Sequence, residues 1–226
     1  MYDLIGDIHG HCSTLKQLLI KMDYAEINGV WQHHARKAIF VGDYIDRGPE
    51  IRETLELVKA MVDHGKAIPI MGNHEYNALA YWYQRSDGRY LRSHNDKHTG
   101  QHKETIKQFE GRDEEWKTYL DWFYTLPLFL DLGSIRVVHA CWDDGHMQWL
   151  KETNNTKISE AFLVASHDNE KEHQVINAVL KGTEFDLPDP YSWPDKDGNM
   201  RKECRIKWWV EPGDTDLGSF IFDCPE

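Results

Sequence analysis

The first 75 residues repeat one pattern: a short apolar run, a glycine-bearing polar loop, then apolar residues at helical spacing. The runs Tyr2 to Ile5, Ala38 to Val41 and Ala67 to Met71 are too short for helices and each leads into a Gly-Asp or Gly-Asn sequence, so they read as strands. Leu15, Leu18, Leu19 and Met22 follow Ser13 at one-face spacing, as do Ile51, Leu55, Val58 and Val62 after Pro49, which predicts two helices between the strands. A β-α-β-α-β unit of this kind sends all its strand-end loops to one edge of a parallel sheet.

Further along, Gln84 to His102 is polar and contains Gly88 and Gly100, which predicts an excursion or lid (84–102) over that edge. Glu114 to Tyr124 reads as helical, and Leu128 to Asp131 and Ile135 to Ala140 as two strands around Gly133. Ile158 to Lys181 holds two helix-period stretches closed by Gly182. Thr183 to Asn199 reads as a loop before a strand from Arg205 to Val210, on which Trp208 and Trp209 would face opposite ways. Asp195, Asp197, Gly198 and Asn199 have the wrong spacing for a calcium loop and read as a turn. Without internal repeats, residues 1–226 read as a single α/β domain.

Charge and cysteine usage narrow the classes. The chain has 226 residues with 26 Lys+Arg against 38 Asp+Glu, a net charge of −12. Such a surface repels phosphate backbones, so sequence-independent binding to duplex nucleic acid is not expected, and a phosphorylated substrate needs local positive charge. Cys12, Cys141, Cys204 and Cys224 form no C-x-x-C pair, which indicates neither a zinc knuckle nor a disulfide framework and fits a reducing cytoplasm. No apolar run approaches membrane-spanning length, so neither a membrane span nor a signal peptide is expected.

The chemistry concentrates in the strand-end loops GDIHG (Gly6 to Gly10), GDYIDRG (Gly42 to Gly48) and GNHE (Gly72 to Glu75). Carboxylate, amide oxygen and imidazole beside glycine form a ligand set for a hard or borderline divalent cation. Asp7 and His9 can turn toward one ion, Asp43 has two oxygens with which to bridge a second, and Asn73 with a later His would complete that second site. Two ions about 3.5 to 4 Å apart activate water and clamp a phosphoryl group in line. One Gly-Asp after a strand is usually a turn, but three such loops at regular spacing imply a shared site.

In this order the motifs D-x-H-G, G-D-x-x-D-R-G and G-N-H-E resemble the calcineurin-like metallophosphoesterases, in particular their phosphoprotein phosphatase branch, which includes bacterial Ser/Thr phosphatases and diadenosine tetraphosphatases. The resemblance runs from Met1 to about Trp142. It implies a β-sandwich flanked by helices, with a dinuclear centre at the strand ends. It makes Asp7 and His9 ligands of the first metal, Asp43 the bridge, and Asn73 and His139, in VVHA, ligands of the second. It also implies His74 as general acid with Asp46 as its partner, and Arg47, Asn73 and His74 as substrate-binding groups, Arg47 pairing with phosphate oxygens. Glu75 would anchor the donors around the metal ligands. The ions expected are Mn²⁺ or an Fe/Mn pair, with Zn²⁺ as the other option.

The implied reaction is direct attack of a metal-bound hydroxide on a phosphomonoester, including phosphoserine or phosphothreonine. Dinucleoside polyphosphate hydrolysis is the alternative, so the partner would be a phosphorylated small molecule, a phosphoprotein or a nucleotide. The family normally supplies one more second-metal His after a Gly, and this chain shows none after Gly182. His146, His167 and His173 read as solvated, and Gly218 to Asp223 supplies no His, so a weaker second site and a shortened C-terminal part are expected. The reading from another class is a binding or regulatory protein with an incomplete second metal site.

Overall fold

The first three strands pair in parallel and set the architecture. The computed structural model describes residues 1–188, 190–194, 200–210 and 219–222. β1 (Tyr2–Ile5), β4 (Lys37–Phe40) and β5 (Ala67–Pro69) form a sheet in the order β1-β4-β5, with Leu4 opposite Ile39 and Ile39 opposite Ile68. Two crossovers join them. The first carries α1 (Cys12–Lys21) and the antiparallel hairpin β2 (Ala25–Ile27) and β3 (Val30–Gln32), and the second carries α2 (Ile51–Asp63). Parallel pairing places the loops after Ile5, Phe40 and Pro69 on one edge, as the run-loop-helix pattern requires.

Strand alternation divides the core in two. Ala38 and Phe40 of β4 face the helices, packing with Leu15 and Leu19 of α1 and Leu55, Val58 and Met61 of α2. Ile39, between them, faces the opposite way and joins Ile70 and Val137, with Ile68 and Leu130 against them. Val137 and Leu130 lie directly across the hairpin of β6 (Phe129–Asp131) and β7 (Arg136–Val138). The hairpin is therefore a second β layer on the sheet face away from α1 and α2.

Helices fill the rest: α3 (Asn73–Trp82), α4 (Asp96–Gln108), α5 (Asp113–Phe123), α6 (Asp144–Glu152), α7 (Glu160–Asp168) and α8 (Glu170–Lys181). Toward the end, β8 (Glu184–Asp186), β11 (Glu203–Ile206) and β12 (Ile221–Phe222) form an antiparallel sheet beside the short pair β9 (Trp193–Pro194) and β10 (Met200–Arg201). Among the described residues no helix is long and apolar enough to cross a membrane.

Within 84–102, Gln84 bridges to Tyr90, and from Asp96 the chain is helical. Three expectations change. GNHE is not a loop but the first turn of α3. Thr183 to Asn199 carries β8 and β9. Trp208 and Trp209 are not on a strand, because β11 ends at Ile206 and the chain turns there through Trp208 N–H to Ile206 O at 3.0 Å. Both indoles are exposed and meet edge to face at 5.8 Å. Residues 195–199, 218 and 223 lie outside the described residues.

Candidate metal centre

Backbone hydrogen bonds lock the first two strand-end loops together. Ile8 and His9 N–H both donate to Asp43 O, at 3.0 and 2.8 Å, and Gly48 N–H donates to His9 O at 3.0 Å. His9, Asp43, Asp46 and Arg47 all have positive φ, between 46° and 67°. Each such non-glycine residue costs on the order of 1 kcal/mol, and four together at one edge mark a segment held for its side-chain directions. Gly72 explains the third motif's glycine: a Cβ there would collide with the Asp43 carboxylate and amide.

His9, Asp43, Asn73 and His139 converge on one point, with Asp7 at its exposed side. His9 Nδ1–H donates to the Ile45 carbonyl at 2.9 Å. Its Nε2 is buried without a hydrogen-bond partner, 3.5 Å from Asp43 Oδ2 and 3.7 Å from Asp7 Oδ2. Burial lowers the pKa of His9 although the Ile45 bond opposes it, so a neutral imidazole aims its lone pair at two carboxylate oxygens. His139 is arranged alike. Its Nδ1 donates to Val41 O at 2.6 Å and its Nε2 lies 3.0 Å from Asn73 Oδ1 and 3.6 Å from Asp43 Oδ1. Lone pairs gathered on lone pairs repel unless a cation sits between them, so these residues fit divalent ions.

The grouping is less tidy than the motif order implies. Ligand atoms of Asp7, Asp43 and His139 lie within 4.8 Å of one another, and so do those of His9, Asp43 and His74. Asp43 belongs to both groups. His74 Nε2 lies 3.9 Å from Asp43 Oδ2, while its Nδ1 is 2.6 Å from Asp46 Oδ2. Burial would lower the His74 pKa, but the Asp46 bond and the Asp43 charge outweigh it and the net shift is upward.

Asp46 is buried and forms no ion pair with its neighbour Arg47. Oδ1 accepts from Thr105 Oγ1 at 2.6 Å and from His102 Nδ1 at 2.7 Å. Trp82 Nε1 donates to His102 Nε2 at 3.1 Å, which fixes the proton of His102 on Nδ1. Burial raises the Asp46 pKa, but the bonds from His102 and His74 overcome it and the carboxyl ends below its ordinary range. Neither His102 nor Thr105 was found in the sequence. The signal available was His102, Thr105 and Phe109 at positions i, i+3 and i+7 of a polar segment, all buried.

Glu75, fully buried, accepts from Gly72 N at 3.0 Å, Asp43 N at 2.9 Å and Tyr44 N at 2.8 Å. Burial and the facing Asp43 charge push its carboxyl up to about 7. Glu75→Gln puts an amide donor against backbone donors, an expected cost of about 1 to 3 kcal/mol. Melting temperature and Mn²⁺ content should both fall, whereas an unchanged melting curve would contradict this anchoring role.

None of the other histidines considered joins either group of ligand atoms. His167 is not solvated, because it stacks on Tyr76 at 5.7 Å and bonds Leu163 O at 2.9 Å. His146 is half-buried on α6, 3.7 Å from Asp143, and His173 is exposed. Arg47 is exposed at the mouth of an open cleft of about 670 Å³, which Asn73, His74 and His102 also line.

The sequence profile of the calcineurin-like phosphoesterases matches residues 2–210. The chain belongs to the calcineurin-like phosphoesterase family. Among the relatives of this chain, the bis(5'-nucleosyl)-tetraphosphatase PrpE [asymmetrical] of Oceanobacillus iheyensis is 32% identical over 139 residues, covering 61% of this chain and 54% of the relative. The protein of the same name from Anoxybacillus flavithermus is 32% identical over 148 residues, covering 62% and 57%. The chain spans about half the length of the curated relatives it matches. A solved cold-active protein-tyrosine phosphatase from a psychrophilic Shewanella is 18% identical and covers 80% of this chain and 54% of its own, with a TM-score of 0.44.

Proposed function

We propose that this chain hydrolyses phosphate esters or anhydrides with divalent metal ions held by Asp7, His9, Asp43, Asn73 and His139. The observation that carries the reading is the placement of two imidazole nitrogens, His9 Nε2 and His139 Nε2, at opposite oxygens of one buried carboxylate, Asp43, with His9 Nε2 buried and unpartnered. Two ions held there, Mn²⁺ or an Fe/Mn pair, would polarise the phosphoryl oxygens and lower the pKa of water. Arg47, which meets no carboxylate among the described residues, lies in the cleft where it would bond phosphate oxygens. His74 donates the proton to the leaving oxygen while Asp46, itself held by His102 and Thr105, fixes the opposite ring nitrogen. Both phosphomonoesters and dinucleoside polyphosphates suit this chemistry, and the names of the curated relatives support the second.

Assaying p-nitrophenyl phosphate, a phosphopeptide and diadenosine tetraphosphate side by side with Mn²⁺ tests the reading. Turnover of at least one that stops with chelator is expected, and no turnover of any would contradict it. Chelation should also lower the melting temperature, since ions bound only by the folded chain stabilise it by about 2.7 kcal/mol at a hundredfold excess over Kd. Identical melting with and without Mn²⁺ would argue against the centre. With Asp7 assigned to the first ion, the second keeps Asp43, Asn73 and His139 among the described residues, so Mn²⁺ titration should show two unequal steps. Two equally tight steps would mean a further ligand.

A further inference from the structure

The arginines from Arg36 to Arg136 divide into two sets. Arg36, Arg52, Arg85, Arg89, Arg112 and Arg136 each meet a carboxylate within 4.0 Å. Among the described residues Arg47 and Arg92 meet none, and both line the cleft beside the candidate centre. In a chain with net charge −12, carboxylates are abundant, so two unpaired guanidinium groups in one cleft call for an external anion.

Arg92 is held ready for one. Its guanidinium is half-buried between two helices, with Nη1 donating to Asn77 Oδ1 of α3 at 3.0 Å and Nη2 to Gln101 Oε1 of α4 at 2.7 Å. These partners are neutral, so they fix the fork without cancelling its charge, and the remaining N–H donors have no partner among the described residues. Asn77 lies one helical turn beyond Asn73 and His74, ~5 to 6 Å along the axis of α3, so Arg92 stands past the reacting position rather than on it. Lys97 and His98 of α4 line the same cleft, and Lys181 at the end of α8 stands close enough for its charge to act on Arg92 and His98. Burial first, and the neighbouring cations after it, lower the pKa of both His98 and Lys181, although the Ser93 carbonyl opposes the shift at His98 and Glu184 opposes it at Lys181. Asp46, Asp96 and Glu104 also line the cleft, and the Asp46 charge reaches Arg92, but among the described residues none of the three forms an ion pair with it.

We propose that Arg92, with Lys97, His98 and Lys181 around it, is a second anion subsite that binds a further phosphoryl group of the same substrate, on the cleft side of the scissile phosphate. The site then selects substrates with a phosphate chain over those with a single phosphoryl group. The proposal rests on the phosphoesterase reading for its place in catalysis, though not for its binding of anions. A flat guanidinium bonded on two sides loses little freedom when it takes a bidentate phosphate, which is why a pinned arginine suits this role better than the lysines around it.

The test compares Arg92→Ala and Lys97→Ala with wild type on two substrates, p-nitrophenyl phosphate and diadenosine tetraphosphate, in Mn²⁺. For Arg92→Ala, kcat/KM on the tetraphosphate should fall roughly tenfold or more, mainly through KM, with less than about a twofold change on p-nitrophenyl phosphate. Lys97, exposed on α4, should give a smaller loss of the same pattern without risk to the fold. Equal losses on the two substrates would place Arg92 on the scissile phosphate or in the fold, and no loss on either would leave the subsite without a role; both overturn the proposal. Calorimetric binding of inorganic tripolyphosphate is measured alongside. If wild type turned over neither substrate, the phosphoesterase reading would fail, while weaker tripolyphosphate binding by Arg92→Ala would still support the subsite and equal binding would reject it.

Discussion

Asp43→Asn leaves less than about a tenth of wild-type kcat at saturating Mn²⁺, a barrier increase above about 1.4 kcal/mol, and is the most damaging single ligand change. Asp43 alone belongs to both groups of ligand atoms, and its two oxygens face different imidazoles, His9 at 3.5 Å and His139 at 3.6 Å. Its charge is the one that would offset the repulsion between two cations held close together. The amide keeps the shape but removes that charge and turns one oxygen into a donor. Asp43 O, which takes the His9 and Ile8 amides, is main chain and unaffected, so the loop stitching survives and a folding defect is not the expected cause. Circular dichroism and metal content separate the two, and a variant keeping more than a tenth of kcat would contradict the bridge.

His74→Asn should lower kcat by ~10² to 10⁴ on a substrate with a poor leaving group, and far less on p-nitrophenyl phosphate, whose leaving oxygen needs no proton. The same comparison decides a question that distance alone leaves open. His74 Nε2 is near enough to Asp43 to belong to a ligand group, yet Nδ1 is held by Asp46, whose other oxygen is anchored by His102 and Thr105. A ligand would lose Mn²⁺ on substitution and slow both substrates alike. An acid keeps its metal and shows the leaving-group dependence.

What could be read in the sequence follows from where the information lies. Asp7, His9, Asp43 and Asn73 stand in short motifs whose glycines are needed locally, as Gly72 is beneath the Asp43 carboxylate, so the motifs point to them directly, whereas His74 as an acid comes from the family resemblance. The strand-end placement was equally plain, because apolar runs of this length between helix-period segments allow few topologies. The hairpin of β6 and β7 is legible too, around Gly133, but its packing on the sheet is not, since Ile39 and Val137 meet only in the folded chain. α4 escaped for a different reason. Its buried stripe, His102 and Thr105, is polar because it packs against Asp46 and Trp82 rather than against oil, so hydrophobic periodicity reports nothing there. Its Asn95 cap, accepting from His98 N at 2.8 Å, was the one legible trace. Arg92 was invisible as well, because its meaning depends on which carboxylates are absent around it.

Anomalous diffraction from Mn²⁺-soaked crystals, recorded at the manganese edge, tests the centre most directly. Two peaks are expected beside the Asp43 carboxylate, one within reach of His9 Nε2 and the other within reach of His139 Nε2 and Asn73 Oδ1. Peaks remote from Asp43, or none at saturating Mn²⁺, would contradict the centre.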